Sequence, residues 1–322
     1  MSNDRDLLLG FDVGGTKAVL VLARPDGEIL AESRLERWSS GSWEADLELL
    51  AAHGRELLRG AGIEAAALGA IGVSAPGPLN NATGMVIEAP NLKGWLNVPV
   101  CDHLHLSFGA PVRLENDANA AALAEWRFGA GRGANNLVYL TMSTGVGAGL
   151  ILDRRLYRGT RFQSGEVGHL PIVRDGRACS CGLRGCLEAY TGGAAVAEII
   201  REDLERGEKT SILDLAGGDP ARVSARLWCE ALRQGDEYAE RLRNGWLEFL
   251  SLGLAGVVVT FDPDMLVLGT IVQQNPDLFL DELIARVRKR TWLVQHDVRI
   301  VPGELGDRLP ALAALSAATA DP

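Results

Sequence analysis

The sequence predicts an α/β protein of two domains with a cleft between them, and three observations carry that prediction. A chain of 322 residues with 47% hydrophobic content holds more material than one average domain core requires. Short apolar runs bounded by Gly, Pro and Asp alternate with longer segments of helical apolar spacing. A unit of strand, polar glycine turn and strand occurs twice, which marks an internal duplication.

Taken in order, residues 7–12 read as a buried strand, Val13-Gly14-Gly15-Thr16 as a turn, and Lys17-Ala18-Val19-Leu20-Val21-Leu22-Ala23 as a second strand. Pro25-Asp26-Gly27 turns the chain into a third strand over 28–35, completing a three-stranded meander. Helical spacing predicts a helix over 44–58, and a short strand over 70–74 leads into Pro76-Gly77-Pro78. A strand from Val112 stops at Glu115-Asn116-Asp117-Ala118-Asn119 and becomes an Ala-rich helix. The second copy has a strand over 136–142, the turn Ser143-Thr144-Gly145, a strand over 146–152, the turn Asp153-Arg154-Arg155, and Leu156-Tyr157-Arg158. Apolar stretches over 246–259 and 278–287 read as helices separated by the break at Phe261-Asp262-Pro263.

Composition excludes several function classes. A net charge of −10 and a pI near 5.1 oppose an electrostatic footprint on nucleic acid. The apolar runs around 252–261 fall short of a bilayer span, so no membrane association is expected. Five cysteines, an odd count, with no apolar leader before Leu7, predict a cytoplasmic protein without a disulfide framework. Cys101 and Cys229 stand outside any ligand spacing and read as small core residues.

Cys179-Ser180-Cys181-Gly182-Leu183-Arg184-Gly185-Cys186-Leu187-Glu188 lies just after Gly165-Glu166-Val167-Gly168-His169, so three thiols and one imidazole fall within a short span. That density suffices for a tetrahedral zinc site, the alternative being a group of reduced, partly buried thiols. Glu166 and Glu188, harder ligands than thiolate, would be left to meet a substrate. In the two glycine turns, backbone N–H groups can approach an anion closely, with Thr16, Lys17 and Thr144 adding donors and a cation. The turns therefore predict a pair of loops holding one polyphosphate, although plain hairpin chemistry produces the same residues. Lys17 is spaced wrongly for a Walker motif and opens a strand rather than a helix. Asp12, at the end of the first strand, can orient magnesium-bound water beside phosphates. At the strand-to-helix junction one short polar residue would suffice as a cap, and this chain supplies several. Asp117 is the candidate general base, placed to take the proton of a hydroxyl attacking a γ-phosphoryl group.

These residues give the chain its likeness to a known group. It resembles the sugar kinases of the ROK family (repressor, open reading frame, kinase), within the actin-like, ribonuclease H-like and hexokinase-like ATPase superfamily. The resemblance rests on Phe11-Asp12-Val13-Gly14-Gly15-Thr16-Lys17, Ala75-Pro76-Gly77-Pro78-Leu79, Ala89-Pro90-Asn91-Leu92-Lys93-Gly94-Trp95, residues 115–122, Thr144-Gly145-Val146-Gly147-Ala148-Gly149, residues 165–169 and residues 179–188. It implies a duplicated actin-like fold: a smaller domain of residues 1–115 plus 305–322, closed by a helix over 309–320, and a larger one of 116–304 carrying zinc.

The same resemblance implies that Asp117 is the catalytic base and that Gly77, Asn91, Asn116, Asp117, Glu166, His169 and Glu188 bind the sugar. It implies Asp12, Gly14, Gly15, Thr16, Lys17, Thr144, Gly145 and Gly269 at ATP, and His169, Cys179, Cys181 and Cys186 on a structural zinc. His169 would serve metal and sugar through different ring nitrogens. The implied partners are a hexose and Mg-ATP, with homodimers or higher homo-oligomers usual in the family. The implied reaction is phosphorylation of a hexose 6-hydroxyl, glucose first, with mannose, fructose or N-acetylhexosamines as alternatives, and a non-catalytic sugar sensor as the rival class. Repressor-type members carry a DNA-binding module ahead of the kinase-like part, and the first strand at Leu7 leaves no space for one. One departure stands out: where typical members run into consecutive glycines after the strand Met265–Leu268, this chain continues Gly269-Thr270-Ile271-Val272, which is expected to reshape the nucleoside pocket.

Overall fold

The computed structural model describes residues 7–320; the first six residues, on which the expectation of no leader partly rests, and the last two lie outside the described residues. Among the described residues thirteen strands run in chain order: β1 Leu7–Val13, β2 Lys17–Ala23, β3 Ile29–Glu36, β4 Leu68–Ala75, β5 Leu79–Asn80, β6 Met85–Glu88, β7 Leu96–Val98, β8 Val112–Asn116, β9 Leu137–Met142, β10 Val146–Leu152, β11 Arg155–Leu156, β12 Met265–Leu268 and β13 Arg299–Pro302. They form two five-stranded sheets, β3-β2-β1-β4-β8 and β11-β10-β9-β12-β13, and a three-stranded sheet β5-β6-β7. The two larger sheets share one plan. Three strands consecutive in sequence fill one side, and two later strands, parallel to the first, fill the other. The expected duplication is present at the level of strand order.

The meander forms because β1 and β2 are apolar on both faces, while the edge strand β3 alternates half-buried and exposed residues. The chain divides into two compact units, one of Met1–Gly133, Gly149–Ser164 and Leu305–Pro322, the other of Ala134–Ala148 and Gly165–Glu304. The helix Asp117–Phe128 falls in the first unit, whereas the sequence predicts a boundary at 115/116. Packing explains the difference: Ala120 and Ala124 of that helix share a buried cluster with Leu312 and Leu315 of the C-terminal helix Leu309–Ala318. Gly149 approaches the same helix so closely that a Cβ there would meet Ala122 Cβ at 2.5 Å.

Other elements also differ from expectation. The small sheet β5-β6-β7 is absent from the sequence prediction, because strands of two to four residues carry too little pattern. The helix expected over 246–259 runs from Glu237 to Phe261, 25 residues. By length and composition alone it is apolar enough to cross a membrane, yet half of its apolar window is buried inside the protein, as in a core helix. Its polar first half is committed to pairing: Arg243 meets Glu282 at 2.8 Å and Arg241 meets Glu208 at 2.7 Å.

The C-terminal helix, rich in Ala, lies directly on the first sheet because two strand positions lack side chains. A Cβ on Gly72 would stand 2.2 Å from the carbonyl oxygen of Ala314 and 2.3 Å from the backbone nitrogen of Ala318; one on Gly10 would stand 2.8 Å from Ala314 Cβ. Both obstacles to Gly72 are main-chain atoms, which cannot rotate away. Gly72→Ala is therefore expected to lower unfolding stability by about 1–3 kcal/mol or more, as overpacking does, measured by urea denaturation.

Candidate active site

In the first unit the parallel strands β1, β4 and β8 all end on one edge of the sheet. Register aligns Asp12 with Ser74, Ser74 with Glu115, and Ala75 with Asn116. Because parallel strands deliver their C-terminal ends to the same side, Asp12, Gly77, Asn116 and Asp117 collect along that edge. A Cβ on Gly77 would lie 3.5 Å from Asn116 Nδ2, so the Gly77 backbone borders that amide. Asn116 caps the helix Asp117–Phe128, its Oδ1 accepting from the backbone N–H of Ala118 at 3.0 Å and of Asn119 at 3.3 Å. The cap thus occupies the oxygen of Asn116 and leaves Asp117 in the first helical turn, where a carboxylate suits the helix dipole.

Behind the junction, Glu115 is 1% exposed and accepts three bonds: from Asn119 Nδ2 at 3.0 Å, from the Asn116 backbone N–H at 3.0 Å and from Arg158 Nε at 2.8 Å. Asn119, singled out in the sequence as part of the polar cluster, is a buried support for Glu115.

The β1–β2 turn carries Gly14, Gly15 and Thr16. Asn91 reaches it through the backbone, since a Cβ on Gly15 would lie 2.5 Å from the Asn91 carbonyl oxygen. Lys17 pairs with Glu36 at 3.3 Å on the exposed face, an ion pair worth little and readily exchanged. Asp12 accepts a hydrogen bond from Ser74 Oγ at 2.6 Å. Burial pushes the Asp12 carboxyl up to about 7, the Ser74 bond opposing the rise and the charge of Asp117 adding to it. An acid whose pKa is higher folded than unfolded binds its proton more tightly in the folded state. Stability should consequently fall as pH rises from about 4 to about 7, with the penalty fully present above that window. Asp12→Asn is expected to flatten that part of the melting-temperature profile, measured by calorimetry between those limits.

The second unit places the β9–β10 turn, with Thr144 and Gly145, against the helix Glu188–Thr191. Glu188 Oε2 accepts the backbone N–H of Val146 at 2.9 Å, and its Oε1 accepts from Ser180 Oγ at 3.1 Å. Gly145 has no side chain because a Cβ there would lie 2.3 Å from Glu188 Oε2. His169 faces two ways: Nδ1 stands 3.6 Å from Cys179 Sγ and Nε2 stands 3.8 Å from Glu166 Oε2. Burial raises the Glu166 pKa, with the His169 charge opposing the rise and the Glu188 charge adding to it.

The ligand atoms of His169, Cys179, Cys181 and Cys186 all lie within 4.8 Å of one another, and Cys181 and Cys186 sulfurs are 3.8 Å apart. A tetrahedral zinc with sulfur bonds of about 2.3 Å sets sulfur–sulfur edges near 3.8 Å, so the four residues fit that ion. Zinc there would tie the loop carrying Ser180 to His169, leaving Nε2 on the other side. Metal analysis of the purified protein is expected to find about one zinc per chain. Cys181→Ser should lose zinc and melt at lower temperature, while Cys101→Ser should retain its metal.

Gly269 ends β12, where its N–H donates to the Leu140 carbonyl at 2.7 Å and a Cβ would meet Tyr139 Oη at 2.4 Å. The continuation is a short helix, Thr270–Gln274, rather than an open loop. Thr270 takes a positive φ of 46°, a conformation costly for a β-branched residue, and its hydroxyl bonds Thr141 Oγ1 at 2.8 Å. Thr270 and Ile271 line a cavity of about 720 Å³ together with Met142, Thr144, Ala197 and Cys229. The departure from consecutive glycines therefore forms part of a cavity wall and leaves the space open, a volume within the range of small-ligand pockets.

Sequence reasoning missed Arg158 as the partner of Glu115, Ser180 as a donor to Glu188, and Trp38, whose indole N–H donates to the Gly14 carbonyl at 2.9 Å. A buried acid next to a polar junction demands a cation, which was the signal for Arg158; nothing local marks Trp38.

One sheet plan repeated, with a glycine turn after the first strand of each copy, defines the two-domain actin-like ATPase class. The chain matches the ROK family over residues 8–320 and belongs to that family. It is 33% identical over 280 residues to a glucokinase of Thermotoga maritima, covering 87% of this chain and 86% of that protein. It is 32% identical over 316 residues to a putative xylose repressor of a Caldicellulosiruptor species, covering 98% of this chain and 78% of the repressor. Among solved structures, a ROK hexokinase from Thermus thermophilus superposes with a TM-score of 0.83 at 34% identity over 97% of this chain and 98% of the other. A ROK glucokinase from Streptomyces griseus, in complex with glucose and AMPPNP, gives a TM-score of 0.79 at 28% identity, covering 97% and 99%.

Proposed function

We propose that the protein is an ATP-dependent hexose kinase that transfers the γ-phosphoryl group to a 6-hydroxyl, with glucose the first acceptor. The observation that carries this reading is the position of Asp117, in the first helical turn beside Asn116, on the sheet edge that also holds Asp12 and Gly77. Similarity to a glucokinase, and to a structure containing glucose and an ATP analogue, supports both the acceptor and the donor.

In this mechanism Asp117 accepts the hydroxyl proton as the sugar oxygen attacks the γ-phosphorus and ADP departs. Asn91, Asn116 and the Gly77 backbone orient the acceptor, with Glu166, His169 Nε2 and Glu188 as further hydroxyl partners. The backbone N–H groups of Gly15 and Thr16, and of Thr144 and Gly145, donate to phosphate oxygens of Mg-ATP, the substrate. The cavity beside Thr270 takes the nucleoside, next to Gly269. Little covalent chemistry falls to the protein, whose contribution is positioning and charge stabilisation.

A panel of hexoses with Mg-ATP, reported as relative kcat/KM, tests the proposal and is expected to rank glucose first. Asp117→Asn should lower turnover by about 10²- to 10⁴-fold while glucose binding by calorimetry persists. The likeness to a xylose repressor favours a second reading, a sugar-responsive regulator. That reading requires sugar binding with no phosphorylated product from any acceptor in the panel.

A further inference from the structure

The first glycine turn is held by a side chain that the kinase reading does not use. Trp38, just beyond β3, is 6% exposed and donates its indole N–H to the Gly14 carbonyl at 2.9 Å. That carbonyl and the Gly15 N–H belong to one peptide, and Gly77-Pro78 is the only cis bond among the described residues. In a trans peptide the C=O and N–H point in opposite directions, so fixing one aims the other. The Gly14 N–H is already used, donating to the Lys17 carbonyl at 2.9 Å.

The same indole reaches the acceptor loop. Its ring meets Trp95 edge-on, with centroids 6.0 Å apart and planes at 87°. Trp95 in turn donates its indole N–H to Asp46 Oδ2 at 3.0 Å, and Asp46, fully buried, also accepts from the Ser40 backbone at 2.6 Å and from Ser39 Oγ at 2.8 Å. These bonds leave the tryptophan pair little freedom.

We infer that Trp38 is a positioning residue for phosphoryl transfer: its indole N–H orients the Gly14–Gly15 peptide so that the Gly15 N–H is a fixed donor to a polyphosphate. The contact with Trp95 ties that setting to the loop carrying Asn91. The inference rests on the turn being a phosphate site, as the kinase reading has it. A donor held in place before the anion arrives needs no reorganisation when charge develops, which makes its loss visible in nucleotide binding and turnover.

Trp38→Phe tests this: it keeps an aromatic ring against Trp95 and removes the N–H together with part of the buried indole, so a modest fall in the unfolding midpoint is expected whatever the role of the N–H. In the full chain, the Kd for Mg-AMPPNP by calorimetry is expected to weaken about five- to tenfold, the scale of one neutral hydrogen bond, with kcat falling alongside. Hexose affinity without nucleotide should stay near wild type. Unchanged nucleotide affinity and kcat would overturn the inference. So would equal losses of hexose affinity and nucleotide affinity, the mark of general structural support. Independently of any variant, the Trp38 indole N–H resonance of the wild-type protein is expected to shift on saturation with AMPPNP, and a static resonance would also count against the inference. A wild-type protein that binds AMPPNP yet phosphorylates no hexose would defeat the kinase reading and leave the affinity comparison decisive for Trp38. A wild type without affinity for AMPPNP would overturn both.

Discussion

A carboxylate with almost no solvent contact, Glu115, is the constraint on which the candidate site rests. Removing an ion from water costs several kcal/mol unless charge and hydrogen bonds replace the lost hydration. Glu115 receives compensation from Arg158, the Asn119 amide and the Asn116 backbone. Those bonds fix Glu115 near the end of β8, one residue before Asn116 and two before Asp117. Across the sheet Glu115 aligns with Ser74, whose hydroxyl holds Asp12. One buried charge therefore sets both the strand end that projects the proposed base and, through register, the neighbourhood of the acid at the first glycine turn.

The second unit uses close approach where the first uses a buried ion pair. Gly145 is bare so that the Glu188 carboxylate can lie against the turn backbone and accept from Val146, while Ser180 holds the other carboxylate oxygen. Since Ser180 sits between two cysteines of the proposed metal cluster, any loosening of that cluster frees a partner of Glu188. Cysteine cluster, acidic side chain and second glycine turn are in this way mechanically continuous. His169 completes the arrangement by directing one ring nitrogen to sulfur and the other to Glu166.

Much of this was legible in the sequence because the signals were local. The duplicated strand–turn–strand units showed as apolar runs around glycines, the strand-to-helix junction as a change of period, and the cluster as three cysteines close to a histidine. What escaped was decided by distant partners. Arg158 and Glu115 lie 43 residues apart, and Trp38 and Gly14 are joined by an indole proton that no pattern marks. The first turns of the helix Glu237–Phe261 lay outside the expected 246–259 because they are polar, and their arginines find carboxylates on other segments. At Thr270 the sequence showed only a β-branched side chain in place of glycine, and the positive φ and the hydroxyl bond to Thr141 depend on the fold around it. The boundary at 115/116 missed the helix that follows, since alanines give no hint of which core they will join.

The central claim is that the Asp117 carboxylate deprotonates a sugar hydroxyl in line with a triphosphate. It is tested most directly by a crystal structure of the protein with glucose and Mg-AMPPNP. A carboxylate oxygen of Asp117 is expected within about 2.6–3.2 Å of the 6-hydroxyl oxygen. A complete complex, with both ligands ordered and Asp117 bonded only to protein groups, would contradict it.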